Sequence, residues 1–280
     1  MKILGKTVTV ILLLVFFVGL LVLLYPSISQ YWNSRVQSRA VTDYANLTDS
    51  MTDYTPYFEA AEDYNRRLAE LPVPLAQYRS VSGYNDTLAV TSDGIMGYVT
   101  IDKIRVELPI YHGTSESVLN TACGHLEGSS LPVGGKSTHC VLSAHRGLPS
   151  AALFKDLNKL EIGDVFTITI LGKVLTYQVD KITEVNPNEI GELKIQEGED
   201  YCTLLTCTPY GINTRRLLVR GTRIENLKVA KRFITAEAYI IDRLIVAPAV
   251  ALPILLTLVM IVFFKPAKKK AGDQEKRGKK

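Results

Sequence analysis

Cys207 is the residue of this sequence best placed to act as a nucleophile. It ends an apolar stretch, Thr203–Thr206, that predicts a strand, and Thr208-Pro209-Tyr210-Gly211 predicts a loop directly after it. A thiol at such a junction is held by the strand and remains reachable by a substrate. An isolated cysteine is otherwise a small buried hydrophobe, so the choice between the two interpretations depends on residues that could activate the thiol.

Arg216 is the first residue of that kind. Residues 208–215 connect the Cys207 strand to another predicted strand, and an antiparallel return would bring Arg216 beside Cys207. A guanidinium stays charged at any pH and can favour a thiolate or stabilise a developing oxyanion. Arg215 and Arg220 lie on the same strand, so at least one of the three arginines is expected to be an ordinary surface charge.

A histidine is the second requirement, because a nearby imidazole lowers the pKa of a thiol or delivers a proton to a leaving amine. His145 follows the predicted strand Cys140–Ser143 and precedes the turn residues Arg146-Gly147-Leu148-Pro149. The chemical requirement is equally met by three other residues, His112, His125 and His139. Residue spacing alone does not choose among the four.

The remaining cysteines leave structural alternatives open. Cys202 and Cys207 lie five residues apart on one predicted strand, so their side chains point to opposite faces and cannot pair. Cys123 and Cys140 could form a disulfide. With His125 and His139 they also make a two-Cys, two-His set, but the Cys-x-His and His-Cys spacings are poor for zinc, and no metal site is predicted.

Short strands separated by turns are predicted from Gly94 onward. The best candidates are Tyr98–Ile110, Cys140–Ser143, Val165–Ile170, Val174–Val179, Cys202–Cys207 and Leu217–Ile224. The central pair predicts a hairpin that turns at Gly172-Lys173. Several strands with few helices indicate a mainly β domain, an antiparallel sandwich or barrel, over residues 94–230.

The region before the strands is predicted to be helical and then irregular. Apolar residues at three- and four-residue steps indicate two helices within residues 30–70, with Pro56 opening the second. Residues 71–93 are rich in Pro, Gly, Ser and Asn and predict a loop that could cover the site as a lid.

Two apolar segments predict transmembrane helices, one near each end of the chain. Thr7–Tyr25 has 19 residues and Leu244–Phe264 has 21, all uncharged, and either would span about 30 Å as a helix, the thickness of a bilayer core. The first exceeds the apolar region of a typical signal peptide, which favours a retained anchor in residues 1–29 over a cleaved signal. The second places a C-terminal anchor in residues 231–264.

Charge predicts the orientation and excludes one class of partner. Residues 265–280 carry eight Lys or Arg and two acids, and Lys2 and Lys6 flank the first apolar segment. Both termini are therefore expected in the cytoplasm and the middle of the chain outside the cell. The basic tail would lie by anionic membrane lipid. The whole chain has a net charge of +4, and the basic tail alone accounts for that positive excess. The rest of the chain has no surplus of basic residues, so nucleic acid is excluded as a partner.

The segments together resemble the class C, pilus-assembling sortases of Gram-positive bacteria. The resemblance covers residues 94–224 and rests on five stretches: Gly94-Ile95-Met96-Gly97-Tyr98 through Leu108-Pro109-Ile110-Tyr111-His112-Gly113, Gly124-His125-Leu126-Glu127-Gly128, Ser143-Ala144-His145-Arg146-Gly147-Leu148-Pro149, Thr203-Leu204-Leu205-Thr206-Cys207-Thr208-Pro209-Tyr210-Gly211 and Arg216-Leu217-Leu218-Val219-Arg220-Gly221.

The resemblance implies a closed eight-stranded β-barrel whose catalytic residues are Cys207, His145 and Arg216. Members cleave an LPXTG-like sorting signal between Thr and Gly and hold the acyl part as a thioester. A lysine amine of the next pilin subunit then resolves the thioester. The implied partners are pilin subunits and membrane lipid, with cell-wall precursor or peptidoglycan as a further candidate, and no cofactor is implied.

Two departures and three rival functions stand beside this interpretation. Many class C members carry an Asp-Pro-aromatic triplet in the lid, which is missing from residues 71–93, and Arg215 occupies a position where relatives often have histidine. The nearest rival is a sortase that anchors surface proteins to peptidoglycan. A thiol protease and a non-catalytic membrane-anchored scaffold, in which Cys207 is only a core residue, are the others.

Overall fold

A long N-terminal helix precedes the domain. The structure, a computed structural model, describes residues 2–226 and Thr257. Helix α1 runs unbroken over Lys2–Asp49, with Pro26 inside it, so the first apolar segment and the start of the predicted helical region are one helix. Its side chains between Leu14 and Tyr25 are largely exposed. By length and composition this helix could cross a membrane, as an anchor or a signal sequence.

Three further helices follow α1 in the part of the chain that the structure describes. Helix α2 spans Thr55–Ala69 with a proline in its first turn, which confirms that Pro56 opens a second helix. The two others are single turns, α3 over Pro74–Gln77 and α4 over Glu116–Leu119. Apart from α3 and a 3₁₀ turn at Tyr78–Ser80, residues 71–93 are irregular, as predicted.

Within residues 2–226, eight strands close into a barrel. They are β1 Ile95–Ile101, β2 Val106–His112, β3 Cys123–His125, β4 Thr138–Ser143, β5 Val165–Ile170, β6 Lys173–Val185, β7 Asp200–Thr208 and β8 Arg215–Ile224. Around the barrel the order is β1-β2-β3-β4-β7-β8-β6-β5. The mainly β class and the closed eight-stranded barrel are confirmed.

The predicted antiparallel pairing is wrong at two places. β2 pairs with β3 and β4 pairs with β7 in parallel. In both pairs a long connection separates the two strands and returns the chain to the end of the barrel where the first strand began. The sequence patterns of the strands do not encode this return. The predicted strand Tyr98–Ile110 is also two strands, because a 3₁₀ turn ends at Arg105, whose φ is 53°.

The barrel is filled by side chains from alternate strand positions. Phe166, Tyr177 and Leu204 are among its buried residues. Gly97 and Gly221 let neighbouring groups approach closely, since a Cβ at Gly97 would lie 2.4 Å from the carbonyl oxygen of Thr169 and one at Gly221 would lie 2.7 Å from the Phe166 ring. Any larger residue at either position would force the wall of the barrel outward.

The helices are joined to the barrel by buried polar contacts. The Tyr44 hydroxyl of α1 donates to the carbonyl of Met96 at 2.8 Å and accepts from the amide of Leu171 at 2.9 Å. Asn65 of α2 bonds both the amide and the carbonyl of Leu131. The predicted C-terminal transmembrane helix and basic tail lie outside the described residues, Thr257 apart.

Candidate active site

Cys207 and Arg216 face each other on neighbouring strands. They are register partners in the antiparallel pair β7–β8, and Arg216 is in turn the register partner of Val185 on β6. Residues directly opposite in such a pair share one face of the sheet, with Cβ atoms about 5 Å apart. The antiparallel return predicted for the Arg216 strand is confirmed.

His145 lies at the same level of the barrel as Cys207. β4 and β7 run in parallel with Ser143 opposite Leu205, so residues two positions beyond each of these come level. The chain stays on the strand's course past Ser143, because the Ala144 amide donates to the Leu205 carbonyl at 3.2 Å and the Thr206 hydroxyl donates to the Ala144 carbonyl at 2.8 Å.

All three candidates belong to the outer face of the barrel. Even-numbered residues of β4 and β7, such as Leu142 and Leu204, fill the interior. Odd-numbered ones contribute to a second apolar cluster outside it, formed by Val141, Val185, Leu193 and Leu218, with Leu75, Leu126 and Leu205 packed against it. Strand alternation places His145 and Cys207 on this outer side, and each candidate is half-buried.

The Arg216 guanidinium is held close to the strand end by its own loop. Its Nη1 donates to the carbonyls of Asn213 and Arg215, both at 3.1 Å. Arg220, by contrast, forms a forked pair with Asp180 and lies over the Tyr201 ring at 4.1 Å. The expectation that at least one of the three arginines is an ordinary surface charge is confirmed for Arg215, whose side chain is exposed.

The other three histidines have both ring nitrogens engaged inside the fold. His112 lies 2.8 Å from the Thr87 carbonyl and 3.3 Å from that of Gly94. His125 contacts the Tyr84 hydroxyl at 2.9 Å and the Ser130 carbonyl at 2.8 Å. His139 contacts the Lys194 carbonyl at 2.9 Å and the Thr203 hydroxyl at 2.7 Å. These contacts give the three histidines structural roles and favour His145 as the histidine of the candidate site.

The remaining cysteines are free thiols buried in the barrel wall. Burial raises the pKa of Cys123 and of Cys202 well above the usual thiol range. Burial also opposes ionisation of Cys140, but hydrogen bonds with Cys202 and His125 outweigh it and lower the pKa to about 6. Cys140 is nevertheless only 3% exposed, so a substrate could not reach it. Among the described residues no His, Cys, Asp and Glu are grouped to hold a metal ion.

Two loops beside the candidate residues contact each other. Arg146 donates from Nη1 to the Thr208 hydroxyl at 3.5 Å and lies 6.0 Å from the centre of the Tyr210 ring. Gly147 has φ 95°, and a Cβ there would come within 3.3 Å of the same ring. These contacts tie the loop after His145 to the loop after Cys207. The sequence did not reveal them, because they join residues about 60 positions apart.

A cleft of about 1010 Å³ lies elsewhere, at the start of β4. It is lined by the end of α2, the loop Leu71–Leu75, residues 134–138 and part of residues 190–197. Cys207, His145 and Arg216 do not line this cleft.

Comparisons with known proteins agree on one family. Residues 99–224 match the sortase domain. The crystal structure of sortase C1 from Streptococcus agalactiae is 49% identical, with a TM-score of 0.62, and the match covers 68% of this chain and all of that one. Sortase C of Streptococcus pneumoniae, described for its catalysis and pilin substrate specificity, is 43% identical over 67% of this chain and 97% of that one, with a TM-score of 0.59.

Curated relatives are more distant. Sortase D of Bacillus subtilis (strain 168) is 29% identical over 131 residues, which cover 46% of this chain and 63% of that protein. The chain spans about three fifths of the length of the curated relatives that it matches. Its structural neighbours include sortases C1 of Streptococcus agalactiae and C-1 of Actinomyces oris. Because it covers the whole of a solved sortase at 49% identity, the chain belongs to the sortase family, whose members are cysteine transpeptidases.

Proposed function

We propose that the protein is a cysteine transpeptidase that joins pilin subunits through Cys207, His145 and Arg216. The observation that carries the proposal is the placement of the three residues: Cys207 is the register partner of Arg216, and the parallel β4–β7 pairing brings His145 to the same level. A thiol nucleophile, a proton carrier and a fixed cation are the groups that acyl transfer requires.

The proposed first half-reaction forms a thioester. His145 takes the Cys207 thiol proton as the sulfur attacks the Thr carbonyl of an LPXTG-like signal, and Arg216 stabilises the resulting oxyanion. The Thr–Gly C–N bond then breaks while His145 donates a proton to the leaving amine of Gly. The acyl group remains on Cys207 as a thioester, so the energy of the cleaved bond is conserved.

The proposed second half-reaction forms an isopeptide bond. A lysine amine of the next pilin subunit attacks the thioester carbonyl, His145 takes the proton from that amine, and the Cys207 sulfur leaves as thiolate. Since the acyl group is already activated, the transfer needs no nucleotide. The likeness to a sortase C studied for pilin substrate specificity supports pilin as the substrate.

The acceptor distinguishes this proposal from its rivals. A peptidoglycan-anchoring sortase would deliver the acyl group to a cross-bridge amine, and a thiol protease would deliver it to water. Purified full-length protein should therefore be incubated with a sorting-signal peptide and, separately, a lysine-bearing pilin domain, a cross-bridge amine mimic, or buffer alone. Isopeptide product only with the pilin supports the proposal; faster consumption by the amine mimic or by water contradicts it.

We also propose that residues 71–93 act as a lid over the outer face. Leu75 packs into the apolar cluster around Val141 and Leu218, the same face to which Cys207 belongs. The segment lies tight on the turn at Gly128, where a Cβ would come within 2.9 Å of the Leu75 Cα. In this proposal the apolar contact of Leu75 holds the lid closed, the role that the Asp-Pro-aromatic triplet would have had.

The downstream half of this lid is fixed to the barrel. The Tyr84 hydroxyl contacts His125 and accepts from the Gly113 amide at 2.8 Å, and His112 contacts the Thr87 carbonyl. Movement is therefore expected in residues 71–80, which carry Leu75, with Val81–Leu88 as the fixed base.

The proposed location is the outer surface of the cell membrane, with both termini in the cytoplasm. The apolar, exposed stretch of α1 supports a retained anchor at the N-terminal end. The basic residues at both ends of the sequence support the orientation.

A further inference from the structure

Helix α1 contacts the loop that follows His145. The Gln30 side-chain amide donates to the Pro149 carbonyl at 3.3 Å, and that of Asn33 donates to the Ser150 carbonyl at 2.8 Å. Because α1 is one continuous helix, these bonds fix the height of the loop above the apolar stretch that ends at Tyr25.

Gln30 lies at the height of the lipid headgroup layer, and Asn33 lies just above that layer. Gln30 and Asn33 are five and eight residues beyond Tyr25, or about 7 and 12 Å along the helix axis. The headgroup region extends roughly 5–8 Å beyond the hydrocarbon core. Trp32, at the same level, is 69% exposed, as suits an aromatic residue at a membrane interface.

The loop after Cys207 lies beside the loop that α1 touches and exposes apolar side chains. Tyr210, whose ring approaches Gly147, is 53% exposed, and Ile212 is 68% exposed. Residues 145–150 and 209–216 together contain three arginines and no acidic residue. Apolar tips on a basic surface are complementary to a layer of anionic headgroups.

We infer that the mouth of the active site rests on the membrane, with Ile212 inserted among the lipid headgroups. The inference rests on the proposed retention of α1 as an anchor and adds a partner, the lipid surface, to the proposed transpeptidase. It favours substrates held in the same membrane with the cleavage site within about 10 Å of the bilayer surface, because such a peptide meets the site at a higher local concentration than a soluble one.

Fluorescence quenching tests the contact directly. The full-length protein has a single tryptophan, so Trp32→Phe gives a dark background into which Ile212→Trp is placed. The matched control is Ile162→Trp, at a residue that is 71% exposed and lies away from the candidate site. The neighbouring Gly163 amide donates to the Val179 carbonyl of β6, and Val179 is six residues along that strand from the register partner of Arg216. Both are reconstituted in phosphatidylcholine–phosphatidylglycerol vesicles with a headgroup-labelled quencher lipid.

The expected result is quenching at position 212 at least threefold stronger than at position 162. Equal quenching at the two positions, or none at 212, would overturn the inference. Turnover of a soluble sorting-signal peptide is measured on the same samples. Lost turnover with strong quenching at 212 would count against the transpeptidase and for the membrane contact, and normal turnover without quenching would do the reverse.

A second pair of variants tests the consequence for substrates. With Ile212→Glu, turnover of a sorting-signal peptide anchored in the same vesicle is expected to fall about tenfold, a change of roughly 1.4 kcal/mol, while turnover of the soluble peptide stays within twofold. Ile162→Glu should change neither. Equal losses with both substrates in Ile212→Glu would assign Ile212 to the reaction itself and refute the lipid contact.

Discussion

At the scale of single residues, the proposed chemistry depends on Cys207 differing from three other thiols of the same barrel. Cys207 is half-buried at the end of β7, whereas Cys123, Cys140 and Cys202 are buried in the barrel wall. The sequence indicated Cys207 as the candidate because Pro209 and Gly211 follow it within four residues. It could not exclude three of the four histidines, since the partners of those side chains are backbone carbonyls and hydroxyls brought from distant segments.

Replacing cysteines one at a time should separate the nucleophile from the buried thiols. Cys207→Ala is expected to reduce pilin polymerisation to background, because no other thiol can reach the substrate. Cys123→Ala should leave polymerisation largely intact, since Cys123 lies in the wall with a raised pKa. Polymer formation is followed by gel electrophoresis at matched amounts of folded enzyme. Equal losses in the two variants would mean that the nucleophile is misassigned.

Arg216 should be sensitive even to lysine. A point charge cannot reproduce a planar guanidinium that bonds the carbonyls of Asn213 and Arg215 and, in the proposed reaction, the oxyanion as well. We expect Arg216→Lys to lower kcat/KM for the sorting-signal peptide by about 10²-fold, the usual cost of removing an oxyanion donor. Arg215→Lys, at an exposed residue one position away, is the control and should stay within threefold. Near-wild-type rates for Arg216→Lys would contradict its role.

At the scale of elements, strand pairing gathers the three groups at one end of three neighbouring strands. The sequence predicted β5 with its observed bounds, and β7 and β8 to within two residues at either end, because each contains a run of apolar residues. It missed β3, which has only three residues, too few for a periodic signal. It also predicted antiparallel pairing throughout and so missed the two parallel pairs. Parallel pairing depends on the path of the long connections, which the residues of the strands do not encode.

The lid should open more readily when its apolar contact is weakened. Leu75→Ser removes a side chain packed on the cluster around Val141 and should speed alkylation of Cys207 by iodoacetamide severalfold, since the covered state loses roughly 1–3 kcal/mol. Val73→Ser, at an exposed position of the same segment, should not change the rate. An unchanged rate in Leu75→Ser would show that this segment does not restrict access to the thiol.

At the scale of the whole molecule, the stability of the domain should depend on two neutral histidines. Burial lowers the pKa of His112 and of His139. The unfolded chain, with an ordinary histidine pKa of about 6.5, therefore binds protons that the folded chain does not as the pH falls below that value. Proton linkage then removes stability on acidification.

Chemical unfolding at several pH values measures this effect. The urea midpoint of the full-length protein in detergent is expected to fall between about pH 6.5 and pH 5. In His139→Gln the midpoint at pH 7 should be lower, since two buried hydrogen bonds change, but its further decline on acidification should be smaller. A wild-type midpoint that stays constant or rises over this interval would refute the assignment of neutral buried histidines.

The arrangement of the whole molecule was the least predictable from sequence. Composition predicted an apolar anchor and a separate helical region, yet α1 is one helix that reaches from the first apolar segment to Tyr44, whose hydroxyl bonds the barrel at Met96 and Leu171. Contacts of this kind join residues more than 50 positions apart, and the local sequence pattern of neither segment predicts them.

The most direct test of the account is the detection of an acyl group on Cys207. Full-length protein is mixed with an LPXTG-like peptide without an acceptor amine, quenched with acid, and digested for mass spectrometry. The account predicts that the peptide fragment ending at Thr is attached to Cys207 by a hydroxylamine-sensitive thioester and is released when a lysine-bearing pilin is added. Cleavage of the peptide with no adduct on Cys207, or an adduct on another residue, would contradict it.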